Sequence, residues 1–145
     1  MTAAKAVNAQ GTVIKVGNGA SPEVFYSISE VKDIGEIGGT SAVIDATTLD
    51  SPAKEKKIGL VDFGQLTLQL HYDSTDTNGQ AVLVDAQADR QPRNFKIVIP
   101  ADGDIAEKTL SFSAFVISYK AGSFGVDQIV PASCTLEITG LVTGL

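Results

Sequence analysis

One stretch in the middle of the chain, Val61-Asp62-Phe63-Gly64-Gln65-Leu66-Thr67-Leu68-Gln69-Leu70-His71-Tyr72, constrains the fold more than any other. From Gln65 onward Leu66, Leu68, Leu70 and Tyr72 share one parity, and Gln65, Thr67, Gln69 and His71 share the other. Successive side chains of an extended strand point to opposite faces, so the pattern predicts one face on a core and one toward water. A strand is usually about 5 or 6 residues long, and this segment, read as a single strand, outruns that. Its wet face holds amides, a hydroxyl and an imidazole in place of lysines and glutamates. Such a face fits a surface that is shared, repeated or lining something. It does not fit a catalytic pocket.

With 145 residues, 43% of them hydrophobic, the chain is expected to form a single domain over residues 1–145 with a genuine core, residues 1–9 forming a flexible N-terminal arm. Fourteen glycines, no tryptophan and 19% charged residues fit a glycine-punctuated β protein. The net charge of −6 excludes an electrostatic footprint for gripping a phosphate backbone. Cys134 is the only cysteine, which excludes an internal disulfide and a thiolate zinc site, and its parity predicts a small buried residue. No basic segment followed by an apolar run opens the chain and no stretch approaches membrane-spanning length, so a soluble protein made inside the cell is expected.

Strand signals dominate. Gly11 to Val16 and Glu23 to Ile28 flank a turn-rich Gly17-Asn18-Gly19-Ala20-Ser21-Pro22 and predict a hairpin. Ser29 to Gly39 reads as irregular, and Thr40 to Leu49 as a strand rich in β-branched residues. Asp50 to Gly59 then predicts a polar projecting loop, longer than the usual hairpin loop of about 2 to 5 residues. Asp76-Thr77-Asn78 predicts a cap for one helix from Gly79 to about Asp89, stopped by Gln91-Pro92. Asn94 to Ile99, Thr109 to Lys120 and Gln128 to Leu141 complete the strands. In the last of them Cys134, Leu136 and Ile138 take the buried parity, and Ser133, Thr135, Glu137 and Thr139 the wet one. The expected fold is mainly β, an antiparallel β-sandwich or barrel with one short helix and a long projecting hairpin loop.

Little catalytic chemistry is available. His71 is the single histidine, on the polar side of a strand where solvent or partner contact is the reading, and no strained elbow or phosphate cradle is present. Ser74, Asp76, Asn78, Gly79 and Asp85 fall at calcium-loop spacings. Serine in the first position, aspartate in the last and the lack of a preceding helix favour an Asx-type cap instead. Neither catalytic nor metal-ligating residues are assigned, and no cofactor is implied. Lys54-Glu55-Lys56-Lys57 is a solvated loop tip, or a docking element for an acidic neighbour.

The succession Gln80-Ala81-Val82-Leu83, then Arg93-Asn94-Phe95-Lys96-Ile97-Val98-Ile99-Pro100-Ala101-Asp102-Gly103, then Leu110-Ser111-Phe112-Ser113-Ala114-Phe115-Val116 and Cys134-Thr135-Leu136-Glu137-Ile138-Thr139-Gly140, in that order and spacing, resembles the major tail tube proteins of long-tailed bacteriophages. The resemblance runs from about Ala9 to Leu141. It implies a structural, non-enzymatic protein of the virion tail, made in the host cytoplasm, whose hexameric rings stack into a hollow tube. Its implied partners are further copies of itself, a tape-measure protein in the lumen, and tail-tip and tail-terminator proteins; DNA passes without being bound specifically, and no membrane is involved. On that reading Gln65, Thr67, Gln69, His71, Ser133, Thr135, Glu137 and Thr139 are lumen-facing candidates, with Asp62 or Asp73 at the strand ends. Asp50, Lys54, Glu55, Lys56 and Lys57 form an inter-ring or intersubunit loop. The alternatives are a monomeric β-sandwich module binding carbohydrate or another ligand, for which no tryptophan platform exists, and the tube protein of a contractile injection or secretion device.

Overall fold

Alternation fixes the strand at Gln65 to His71 as expected: Leu66, Leu68 and Leu70 are fully buried, and the residues between them are exposed or half-buried. The protein is described here by a computed structural model covering residues 5–145, so the first four residues of the expected arm lie outside the described residues. Its elements are β1 (Val13–Gly17), β2 (Phe25–Ser27), β3 (Val31–Ile34), β4 (Thr40–Asp45), β5 (Lys56–Asp62), β6 (Gln65–His71), α1 (Gln80–Asp89), β7 (Arg93–Ile99), β8 (Lys108–Ala121) and β9 (Pro131–Thr143).

Seven strands form one antiparallel sheet in the order β2-β1-β7-β8-β9-β6-β3, while β4 and β5 form a separate two-stranded ribbon. One face of the sheet supplies the core: Ile14 and Val16, Phe95 and Ile97, Leu110 and Phe112, Cys134 and Leu136 all point inward. Phe95 and Phe112, opposite each other on β7 and β8, stack with centroids 5.5 Å apart. Val31 and Ile34 line a cavity together with Ile97, Ile99 and Leu110 of strands that are not their neighbours in the sheet order. The sheet therefore curls over its own core in a sandwich-like manner. Helix α1 closes the remaining side through Leu83 and Ala86.

Several elements differ from the sequence expectation. The stretch Val61 to Tyr72 is not one strand: Gly64 takes a left-handed φ of 63°, its N–H held by Asp62 Oδ1 at 2.9 Å, and this divides β5 from β6. Tyr72, expected in the buried row, lies past the end of β6 and is exposed. Residues 29–39, read as irregular, contain β3, whose Val31 and Ile34 pair with Leu70 and Leu68 across a bulge. The strand expected up to Leu49 ends at Asp45, and Lys56 to Gly59, expected in the loop, belong to β5. The capping residue of α1 is Gly79, without a side-chain cap; Asp76 Oδ2 instead accepts the N–H groups of Gln80 (3.0 Å) and Ser29 (2.9 Å).

Gln80, at the start of α1, joins four segments by one buried amide. Its Oε1 accepts from the Asp73 N–H (3.0 Å) and the Tyr119 hydroxyl (2.7 Å), and its Nε2 donates to the carbonyls of Ser29 (3.0 Å) and His71 (2.9 Å). Every hydrogen-bonding position of the amide is filled, as a buried polar group requires. Burial pushes the Tyr119 phenol up to about 12, so it remains the proton donor at neutral pH. Replacing Gln80 by leucine removes four hydrogen bonds to half-buried partners that water can partly replace, at roughly 0.5–1 kcal/mol for each. We expect Gln80→Leu to destabilise the monomer by about 3 kcal/mol in urea denaturation, against less than about 1 kcal/mol for the exposed Val84→Ala on the same helix.

Candidate assembly surfaces

The ribbon arises where β3 and β6 cease to pair. Beyond Gly64 on one arm and Gly39 on the other, where a side chain would collide with Val61 and Phe63, the two chains continue as β5 and β4. Their register sets Ser41 against Val61, Val43 against Ile58, Ile44 against Lys57 and Asp45 against Lys56. Cross-strand partners share a face, so both faces of the ribbon carry apolar side chains. Ile58 is 77% exposed and Leu60 93%, and Val43, Ile44 and Leu49 are exposed as well. A cleft of about 470 Å³ between Gly59 to Phe63 and Ile138 to Leu141 separates the ribbon from β9.

The tip, residues 46–55, is tied together internally. Thr47 N–H donates to Asp45 Oδ1 (2.9 Å), Glu55 N–H to Thr47 Oγ1 (2.9 Å) and Ala46 N–H to the Glu55 carbonyl (2.9 Å). The hydrogen bonds from Thr47 hold the Asp45 carboxyl below its ordinary range. Asp50, Lys54 and Glu55 sit in this tip, and Lys56 and Lys57 open β5. The ribbon is not basic as a whole, since Lys54, Lys56 and Lys57 are set against Asp45, Asp50, Glu55 and Asp62. Positive charge is concentrated at 54–57.

The second surface is the outward face of the curled sheet. β6 and β9 pair without a bulge, placing Gln65 beside Glu137, Thr67 beside Thr135, Gln69 beside Ser133 and His71 beside Pro131; Thr139 continues the row opposite Ser113. All eight polar candidates thus share one continuous face. His71 is half-buried and its Nδ1 lacks a hydrogen-bond partner. The sequence reading did not include the neighbouring β8, which adds the exposed Phe115 beside Glu137 and Lys120 beside Ser133. Phe115 and Ile117 on the otherwise polar parity of Ser111 and Ser113 were the available signal. Farther along, Lys15 and Lys96 face each other on β1 and β7, with Lys96 Nζ 4.1 Å above the Phe25 ring.

At the end of β6 remote from the ribbon, loops 72–79 and 122–130 meet. Tyr72 N–H donates to the Val130 carbonyl and Gly122 N–H to that of Pro131, each at 2.9 Å. Asp73 accepts from the hydroxyls of Ser29 (2.7 Å) and Thr75 (2.6 Å), which lower its pKa. Asp76, the second member of the calcium-like spacing, is engaged by backbone N–H groups. The described residues hold no cluster of three or more histidine, cysteine or acidic side chains arranged for a metal. Cys134 is fully buried in β9, and burial pushes its thiol up to about 12.

A curled sheet that leaves a hairpin with two apolar faces standing away from it is a protein built to contact other chains. The family model for phage tail tube proteins, lambda-like, matches residues 5–144, and the chain belongs to that family: it is a structural protein of the virion tail. No curated relative matches the sequence. Among solved structures, the fold is similar to the tail of an empty gene transfer agent particle refined with C6 symmetry, with a TM-score of 0.70 at 15% identity over 97% of this chain and 99% of that one. It is similar to a chain of the sheath/tube terminator of an extracellular contractile injection system (TM-score 0.74, 17% identity, 97% of each chain). It is also similar to the SPP1 tail tube (TM-score 0.68, 18% identity, 97% of this chain and 80% of that one). At these identities the likeness is one of fold.

An exposed two-stranded ribbon is only marginally stable by itself. Limited trypsin digestion of unassembled protein is expected to cut first after Lys54, Lys56 and Lys57, leaving Lys96 on the central sheet intact, as read by mass spectrometry of early time points. Early cleavage at Lys96 would contradict this hierarchy of stability.

Proposed function

We propose that the chain forms hexameric rings that stack into the tail tube through which DNA is delivered, after synthesis in the host cytoplasm. The observation that carries this reading is the ribbon, whose apolar side chains have no cover within the chain. Family membership and the C6 symmetry of the similar gene transfer agent tail support it. The similar sheath/tube terminator and a similar chain in an anti-feeding prophage baseplate support partners at the two ends of the tube, and a tape-measure protein would occupy the lumen before ejection.

The ribbon, with Asp50 and Lys54 to Lys57, reaches a neighbouring ring or subunit. Burying a large aliphatic side chain contributes about 2 kcal/mol, so Val43, Leu49, Ile58 and Leu60 together supply about 8 kcal/mol. Association itself costs on the order of 4–15 kcal/mol. One ribbon alone is therefore a weak joint, and a ring engaging all of its ribbons at once is a strong one. The row from Gln65 to His71, together with Ser133, Thr135, Glu137 and Thr139, lines the lumen. Glu137 and the lack of a cation in these two rows disfavour retention of a phosphate backbone along them, while Lys120 beside Ser133 and Lys15 and Lys96 farther along the same face bring positive charge nearby.

Two experiments test this. Purified protein seeded with a tail-tip complex should give rings and tubes by negative-stain electron microscopy, and reversing Lys54, Lys56 and Lys57 to glutamate should suppress stacking with the monomer still folded. A strictly monomeric species at high concentration would sink the assembly, and normal polymerisation of the triple variant would reduce the lysines to solvated residues. For the lumen, a bulky maleimide added outside intact tubes should leave Thr67→Cys unlabelled. Rapid labelling would place that row on the exterior.

A further inference from the structure

We infer that the surface receiving the ribbon is the opposite end of the same sheet, the paired loops 72–79 and 122–130 of a second copy in the next ring. The inference rests on the tail-tube reading above and names the partner surface that reading leaves open. The ribbon departs where β6 begins; these loops lie where β6 ends and β9 starts. Donor and receiver are thus at opposite ends of one strand axis, the arrangement a head-to-tail stack needs.

The receiver matches the ribbon in apolar character. Phe124, Val126 and Ile129 are 76%, 92% and 70% exposed within a short loop, and the exposed Tyr72 borders them. Three large apolar side chains so placed in one loop mark a contact surface. The loop is not a loose tether, because the hydrogen bonds from Tyr72 to Val130 and from Gly122 to Pro131 fix its base to β6 and β9.

Charge is complementary as well. Loops 72–79 and 122–130 contain Asp73, Asp76 and Asp127 and no lysine or arginine, whereas the ribbon concentrates Lys54, Lys56 and Lys57 near its tip. Ser29 and Thr75 keep the Asp73 carboxylate ionised by hydrogen bonds. Complementary charge of this kind fixes which surfaces meet and in which direction. Because ribbon and receiver differ, each ring presents ribbons on one side and receivers on the other, and the tube grows with a single polarity.

The test uses the full chain in two forms. The triple variant Phe124→Ser, Val126→Ser, Ile129→Ser alters exposed positions only, so its thermal midpoint should match the parent while its tube yield falls by about tenfold or more. In the second form, Leu60→Cys protein is mixed with Val126→Cys protein, assembled and treated with a short bis-maleimide; a covalent dimer is expected from the mixture and not from Leu60→Cys alone, Cys134 being buried. If the parent forms tubes and the cross-link is absent, or the folded triple variant polymerises like the parent, the receiver assignment is overturned while the tail-tube reading stands. If the parent forms neither rings nor tubes, the tail-tube reading fails and this inference falls with it.

Discussion

The buried amide of Gln80 is the interaction on which the arrangement of this protein depends. Through it the helix start, the turn before β3, the end of β6 and the long strand β8 are held at one point. Each of those segments would otherwise bury an unpaired backbone or phenolic group, a situation native proteins seldom tolerate. The hub lies at the end of the sheet bearing loops 72–79 and 122–130. That end is consequently rigid. The other end, beyond Gly64, has no equivalent anchor, and the ribbon leaves the sheet there supported by its own ladder and turn.

This division of rigidity has an assembly consequence. A two-stranded ribbon with apolar faces gains little by ordering in water and gains more once a partner covers it. The first contact between two copies has to bear the ordering cost for few interactions, while each later addition finds a pre-arranged surface. Growth of this kind has a nucleation barrier and a critical concentration.

Much of the fold was legible in the sequence because the longest strands keep strict alternation. β6 and β9 pair without a bulge, so the polar rows at Gln65 to His71 and Ser133 to Thr139 could be read from parity alone. The break at Gly64 also had a trace: apolar parity is odd at Val61 and Phe63 and even from Leu66 onward, a phase slip that a left-handed glycine accommodates. β3 was missed because Val31-Lys32-Asp33-Ile34 does not alternate and pairs through a bulge. Gln80 was hidden for a different reason, since a glutamine near a helix start looks like any solvated residue until four distant segments converge on it. Phe124 and Val126 lie between the strands read at Thr109 to Lys120 and Gln128 to Leu141, and Ile129 was read inside the latter although β9 starts only at Pro131; their exposure is a property of the tertiary fold.

Cys134 carries a last consequence. It is the sole thiol of the chain, fully enclosed between the apolar rows of the sheet, with a pKa raised to about 12. Thiol chemistry proceeds through the thiolate and requires access, and this sulfur offers neither. Copies of the chain therefore cannot become joined through disulfides. A change of redox surroundings would accordingly form or break no disulfide at the joints between copies.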